Sequence, residues 1–423
     1  MKVLIISLDC DGLAFALRCK IAGHFVKMWF SKETTAGEGL VDKVQDWKPH
    51  MKWADLIFVT ENSKLGNVLE PFFRDGFPIL GANREGAKLE LDRAKGQEAF
   101  ESGGVDTLSF EVFQSYDKAI SFVKKENKPF VCKPWGGTSD KALSYVPPKG
   151  FEVEALVWKL NRWKKDGLKG EFILQEFMPG IEVGVSGWFG PGGFSKWIEE
   201  DFEEKKLFNG GLGPNTGEQG TIIRHVKKSK LFDEMLKPLE ERLEEVSYVG
   251  NINVNCIVDV SGKPWPLELT MRPGWPDFDI LQVLLQGDPC EWLLDLLEGK
   301  DTLKIKPVIA VGVVLTHGDY PIGDVLDKDA VGFPIYGITK GNSKNISPCL
   351  CRKENEGLET AGTYVMVITG LGNTVSEAQG EAYKICEEIK WPGDIGYRTD
   401  IGDRLEEELP ILQSFGYVTD MEY

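Results

Sequence analysis

At 423 residues, 42% of them hydrophobic and 27% charged, the chain is long enough for roughly two to four packed units of a globular protein. Its net charge of −17 excludes nucleic acid as the main partner, because phosphate-backbone binding needs clustered cations; a small anionic substrate in a locally positive cleft fits better. No apolar run reaches the roughly 18–20 residues that span a bilayer, so no membrane partner is expected. The eight scattered cysteines lack zinc-ribbon spacing and read as buried thiols in a reducing cytoplasm.

The apolar opening, Met1 to Ser7, lacks a signal peptide's length and cleavage site and reads as a buried first strand. A helix at Gly12 to Ala22 and strands at His24 to Phe30, Asp55 to Thr60 and Pro78 to Gly81 follow. This alternation predicts a parallel α/β unit over residues 1–85. From Glu85 the pattern is helical through Phe100. Strands at Ser109 to Phe113, Phe130 to Lys133, Ala142 to Val146 and Glu171 to Met178, with helices at Tyr116 to Asn127 and Glu152 to Lys165, form a small α+β lid over about 113–183. A long charged helix is expected over 228–248. A hairpin of Asn251 to Val260 and Pro264 to Thr270 turns at Ser261-Gly262-Lys263, and a leucine-rich helix spans Asp288 to Leu297. The lid and these elements make a central unit over 86–305. Beyond it, strands at Val308 to Thr316, Pro334 to Lys340 and Thr363 to Thr369 and one helix at Thr374 to Ile389 indicate a separate β-rich C-terminal unit, 306–423. The fold class is α/β.

Four segments carry chemistry. Gly213-Pro214-Asn215-Thr216-Gly217-Glu218-Gln219-Gly220 follows Lys205-Lys206 and offers backbone N–H groups and short polar side chains to an anion. Lys133 and Lys141 flank the glycine-rich turn Gly136-Gly137-Thr138-Ser139, which can close on a triphosphate. In Leu174 to Glu182, a strand leaving through Pro179-Gly180 can offer its backbone to an adenine edge and Glu182 to ribose hydroxyls. In Glu268-Leu269-Thr270-Met271-Arg272, alternation puts Glu268, Thr270 and Arg272 on one face about 7 Å apart, suited to Mg²⁺ and a transferring phosphoryl group. Taken singly, the last three read more readily as an ordinary hairpin, an edge strand and an exposed strand face. Only four histidines and no Ser-His-Asp or Cys-His constellation accompany them.

In this order the segments resemble the ATP-grasp superfamily, and within it glycinamide ribonucleotide synthetase (phosphoribosylamine–glycine ligase). Leu89-Glu90 to Phe100 is similar to the family's L-E-G-S-K-A-F-A-K-D-F, with Arg93 and Gln97 at its lysines. Lys133 to Lys141 resembles K-A-D-G-L-A-A-G-K, and Gln175 to Glu182 resembles E-E-F-L-D-G-E-E. Lys205-Lys206 with Gly213 to Gly220 falls on D-H-K-R…G-P-N-T-G-G-M-G, and Glu268 to Asp277 on E-F-N-A-R-F-G-D-P-E. Leu371 to Ala378 resembles G-D-T-L-E-E-A, and Tyr397-Arg398-Thr399-Asp400-Ile401-Gly402-Asp403-Arg404 resembles Y-R-R-D-I-G-x-R.

The resemblance implies an ATP-grasp fold and a ligase of purine biosynthesis that binds ATP and Mg²⁺ (or Mn²⁺). Glycine is joined to phosphoribosylamine through a glycyl phosphate, in the cytoplasm, by a monomer or homodimer. It places Arg93, Lys133 and Lys141 at the ATP phosphates, and Gln175, Glu176, Phe177 and Glu182 at adenosine. Glu268 and Thr270 hold the metal. Arg272, with Lys141, serves the transferring phosphoryl group, and Lys205, Lys206, Asn215, Thr216, Gly217 and Asp277 face the acceptor substrates. The chain departs from the family at Ser7 to Phe15, where the family has the phosphate-contacting G-S-G-G-R-E-H-A-L and this chain carries Asp9 and Asp11. Thr270 replaces an asparagine and Trp275 an aspartate. Such departures resemble divergent, often phage-encoded, members. Two other readings stay open: a ligase joining another carboxylate and amine, for example on a modified nucleotide, and a catalytically idle nucleotide-binding protein.

Overall fold

The computed structural model describes residues 1–9, 11–135, 143–318, 320–321, 330–355 and 357–423. Lys141 and the glycine-rich turn 136–142 lie outside the described residues. The first sheet is parallel, in the order Asp42–Lys43, Phe25–Phe30, Lys2–Ser7, Leu56–Val59, Ile79–Leu80. Its central strand is buried on both faces from Val3 to Ser7, which is why that segment reads as an unbroken apolar run. The helices Leu13–Ile21 and Gly66–Arg74 make crossovers.

A second, antiparallel sheet of Phe110–Phe113, Glu171–Glu176 and Phe130–Trp135 carries the helices Tyr116–Glu126 and Glu152–Asp166. It closes over its own apolar cluster, which includes Val123, Phe130, Leu160, Trp163 and Phe172.

The largest sheet has ten strands. Its main path runs Pro264–Thr270, Gly250–Asp259, Gly180–Gly190, Ile198–Glu203, Gly220–Val226, Ile309–His317, Tyr364–Gly372, Ile346–Pro348. Residues 306–423 are therefore joined to the centre of the molecule by main-chain hydrogen bonds, through the pairing of Gly220–Val226 with Ile309–His317. One apolar cluster, with Val183, Phe202, Ile222, Val311 and Ile368, runs across that junction.

Local chemistry changes two expected helices. The segment 228–248 is not one long helix: Lys230–Met235 and Glu240–Glu245 are separated by a 3₁₀ turn, Lys237–Leu239. Pro238 has no N–H to continue the ladder. Residues 85–100 likewise divide into Arg84–Leu91 and Arg93–Ser102, because Asp92 leaves helical geometry and its side chain accepts from the Ala94 N–H. That N-cap sets Arg93 at the first turn of the second helix.

Strand alternation gives the large sheet two unlike faces. Val183, Val185, Phe202, Ile252 and Val254 enter the apolar core. The opposite face carries Glu182, Gly184, Ser186, Glu199, Asp201, Glu203, Asn251, Asn253 and Asn255 in register. Gly184 is needed there: a Cβ at this position would lie 2.0 Å from Asp201 Oδ1.

Candidate active site

Five elements bring charged groups to one end of the polar face. Glu268 comes from Pro264–Thr270, Arg93 from the first turn of its helix, and Lys133 from Phe130–Trp135. Glu182 opens the strand Gly180–Gly190, and Lys205 sits in the bend after Ile198–Glu203. Arg93 Nη2 is 3.4 Å from Glu268 Oε2; Lys205 Nζ is 2.9 Å from Glu182 Oε1 and 2.5 Å from Glu203 Oε2. Burial would raise the Glu268 carboxyl, but Lys133, Arg93 and Lys205 outweigh it and hold the group down at about 2. Its side chain is nonetheless 50% exposed, so this carboxylate lines an open cleft. Burial lowers Lys133 to about 8, and the like charges of Arg93 and Lys205 add to this against Glu268 and Glu182. Lys205 goes the other way: burial is outweighed by Glu203, Glu182 and Glu268, and its ammonium is held well above the ordinary lysine value.

Among the described residues, Arg93 Nη1, a donor, and Asn255 Oδ1, an acceptor, are buried here without a hydrogen-bond partner. Asn255 donates through Nδ2 to Glu203 Oε2 at 2.7 Å, which fixes the amide, and it pairs in register with Glu268. Asn253 is likewise opposite Thr270. A carboxylate, a hydroxyl and an amide oxygen on one face fit a hard divalent cation, and the orphaned guanidinium nitrogen fits a phosphate.

The chain is similar to known proteins over most of its length. The family model for the phosphoribosylglycinamide synthetase C domain matches residues 310–404. The phosphoribosylamine–glycine ligase of Halalkalibacterium halodurans is 25% identical over 349 residues, 80% of this chain and 80% of its own length. That of Vibrio cholerae is 27% identical over 350 residues, 78% and 80% of the two chains. The crystal structure of the Thermotoga maritima phosphoribosylamine–glycine ligase superposes with a TM-score of 0.74 at 22% identity, covering 95% of this chain and all of that one. The chain is similar to phosphoribosylamine–glycine ligases over about four-fifths of its length, and its fold is that of an ATP-grasp ligase.

Within that ATP-grasp frame, the expected site residues fall into distinct groups. Arg93, Lys133, Glu182, Lys205 and Glu268 converge, with Thr270 on the same strand face as Glu268. Lys205, expected to face the acceptor, is clasped between Glu182 and Glu203. Arg272 turns away from this cluster: its Nε donates to Glu90 Oε1 at 3.2 Å, and Glu90 Oε2 accepts from the Met271 and Asn62 nitrogens at 2.7 Å. Of the two arginines, Arg93 is therefore the one beside Glu268, and Arg272 is held by Glu90, which also binds Asn62 of the N-terminal unit.

Gln175 is buried, and among the described residues its Nε2 has no partner. Glu176 accepts from Ser109 Oγ at 2.9 Å and Lys128 Nζ at 3.2 Å. The backbone N–H groups of Glu176 and Phe177 already donate to the Ser109 and Pro129 carbonyls. An adenine edge would thus have to use the carbonyl oxygens of this segment instead of those two N–H groups.

The glycine-rich passage forms an exposed hairpin, in which Leu212–Asn215 pairs with Lys206–Phe208. Gly213 has φ 83°, and a Cβ there would meet Phe208 at 2.6 Å. Asn215 is exposed, the Thr216 N–H and Oγ1 donate to the Lys205 carbonyl, and Gly217 is exposed beside Tyr320. Asp277 instead lies buried, its Oδ1 without a hydrogen-bond partner among the described residues, and its carboxyl is pushed well up by burial and by Glu199 and Glu203. Lys206 is half-buried, and its carbonyl accepts from Arg398 Nη1.

Two supports were not legible as such. Arg398 and Arg404 both bind Glu204, at 3.1 and 2.9 Å, and Arg404 Nη1 also donates to the Glu182 carbonyl. The Tyr397-to-Arg404 motif therefore braces the backbone on both sides of Lys205. Asn255 gave one faint signal: three asparagines at alternate positions of an otherwise apolar strand are costly to bury unless used.

At the N-terminal loop, Asp9 pairs with Lys32 at 2.8 Å. Burial, with Asp9 adding to it, raises Asp11 to about 6, against the pull of Arg272 and Lys32. The acidic loop thus faces compensating cations.

Proposed function

We propose that this chain catalyses ATP-dependent joining of glycine to phosphoribosylamine, giving glycinamide ribonucleotide, ADP and phosphate. The observation that carries this reading is the convergence of Arg93, Lys133, Glu182, Lys205 and Glu268, which lie far apart in sequence, on one cleft of an ATP-grasp fold. Likeness to phosphoribosylamine–glycine ligases over four-fifths of the chain supplies the substrates.

Arg93 and Lys133 bind the ATP phosphates, and Glu182 contacts the nucleoside. Glu268, Thr270 and Asn255 supply oxygens for Mg²⁺, which when bound neutralises phosphate charge. The glycine carboxylate attacks the γ-phosphorus, the bond to the bridging oxygen breaks, and ADP leaves. The amine of phosphoribosylamine then attacks the acyl carbonyl, expelling phosphate and losing a proton as the amide forms. No protein nucleophile is required, because positioning and charge neutralisation drive phosphoryl transfer. Asp277 and the 206–217 hairpin face the acceptors, and the lid at 110–176 covers the nucleotide. The reaction belongs to the cytoplasm, with the chain acting as monomer or homodimer.

ADP release with glycine and freshly generated phosphoribosylamine tests this: turnover should require both. Turnover with another carboxylate or amine, and none with this pair, would favour the second reading. That reading is supported by Asp9 and Asp11 in the N-terminal loop and by Trp275 Nε1, buried without a hydrogen-bond partner among the described residues. ATP binding without substrate-dependent ADP release would leave only an idle nucleotide-binding protein.

Lys133 sets a pH limit. With its ammonium at about 8, kcat/KM for ATP should fall as pH rises through that value, since the free protein then loses a phosphate-binding charge. Lys133→Arg keeps its charge and should lose this alkaline limb; an unchanged limb in the variant would count against Lys133.

A further inference from the structure

Away from the cleft, four potential ligands meet between the first helix and the turn that leads into the helix Glu291–Leu297. Cys19 lies in the helix Leu13–Ile21, and His24 follows it, its backbone N–H donating to the Cys19 carbonyl. Asp288 and Cys290 immediately precede the second helix. His24 Nε2 is 2.8 Å from Asp288 Oδ2, and Cys19 Sγ is 3.1 Å from Cys290 Sγ. One ligand atom each from His24, Asp288 and Cys290 lies within 4.8 Å of the others.

We propose that Cys19, His24, Asp288 and Cys290 bind a structural zinc ion that joins the N-terminal unit to the centre of the chain. Two thiolates, an imidazole and a carboxylate make a four-ligand set suited to tetrahedral Zn²⁺ and poorly suited to Mg²⁺ or Ca²⁺. In such a site, with Zn–S of about 2.3 Å and Zn–N or Zn–O of about 2.0–2.2 Å, ligand atoms lie roughly 3.3–3.8 Å apart. Both close pairs, at 3.1 and 2.8 Å, need to open only slightly, while Cys19 must draw nearer to His24 and Asp288.

The surroundings orient the ligands. Asp288 Oδ1 accepts from the Cys290 and Glu291 N–H groups at 2.8 and 3.1 Å, which leaves Oδ2 for an ion. His24 Nδ1 faces the Met1 nitrogen at 3.2 Å, so Nε2 is the atom offered. Such outer contacts are what hold metal ligands in place. Both sulfurs are fully buried, and the His24 and Asp288 side chains are 9% and 20% exposed. On binding, both thiol protons and the Nε2 proton leave to solvent while Nδ1 takes a proton from the Met1 ammonium, so the imidazole stays neutral, and no redox change occurs. The competing account is a His–Asp ion pair beside two thiols that could oxidise to a disulfide.

The test is metal analysis of the full chain, loaded with one equivalent of Zn²⁺ under reductant and excess Mg²⁺, then dialysed. About one zinc per chain is expected, falling at least about tenfold in Cys19→Ser and in Cys290→Ser. Co²⁺ in place of zinc should give a thiolate-to-cobalt charge-transfer band that both variants lose. His24→Gln, which spares both thiols, should also lower zinc content. No retained zinc in the wild type, or a Cys19–Cys290 disulfide as the resting state under the same reductant, would overturn the proposal. So would equal zinc content in the serine variants, which would place the ion elsewhere.

Discussion

Glu268→Gln is expected to lower kcat/KM for ATP-dependent ADP release by about 10²–10³-fold, a loss typical of removing one preorganised electrostatic group. The substitution keeps the shape and removes the charge. In the wild type Lys133, Arg93 and Lys205 hold this carboxyl at about 2, so it is ionised at every working pH and available as a hard ligand. In the variant the same three cations face a neutral amide and repel one another. ATP without metal should then bind comparatively well, because its phosphates can take the place of the lost carboxylate. A large fall in turnover with little loss of metal-free ATP binding is therefore the signature. Full activity at low Mg²⁺ would remove Glu268 from the metal site.

How far the sequence revealed this site depends on how local each cause is. Strand alternation was enough to put Glu268 and Thr270 on one face, because that period is built into the backbone. The hairpin ending at Thr270 was visible from its apolar runs and its Ser261-Gly262-Lys263 turn. Arg272 shows where the method stops: its position follows from Glu90, 182 residues earlier in the chain, and no local pattern announces that contact. The clasp on Lys205 is equally non-local, since Glu182 and Glu203 reach it from separate strands. The ten-stranded sheet was hidden for a similar reason. The strand Ile309–His317 reads as the start of a new β-rich unit, but its hydrogen-bonding partner, Gly220–Val226, precedes it by most of a hundred residues. The break at Pro238, by contrast, was written in the sequence and outweighed there by the surrounding charged, helix-favouring residues.

Apart from Thr270, the departures from the ligase motifs fall at the N-terminal loop and at Trp275. Asp9 and Asp11 answer to Lys32 and Arg272, and Trp275 packs edge-on against Phe278 at 5.4 Å. Glu90 and Asp11 already engage the Arg272 guanidinium, so a phosphate entering this corner must compete with two carboxyl groups. Asp11, at about 6, is the group whose protonation would ease that competition.

Lys205→Met should cost about 3 kcal/mol of folding stability and most of the ligase activity. Lys205 is the cation between Glu182 and Glu203, and removing it leaves two acids facing each other with Glu268 nearby. Breaking a buried pair by deleting one partner costs about 3–5 kcal/mol; the low end applies because a third of the lysine side chain reaches solvent. The pH dependence separates this lysine from Lys133. A folded-state value above the unfolded one of about 10.4 means that the stabilisation is fully present below that pH and is lost only as pH rises through the folded value. The stability gap between wild type and variant, read by urea titration, should therefore hold steady from about pH 6 to pH 9. Lys205→Arg, which keeps the charge, should recover most of the stability. A gap that closed on crossing pH 8, or a methionine variant as stable as the wild type, would mean that the ion pair does not hold the two strands together.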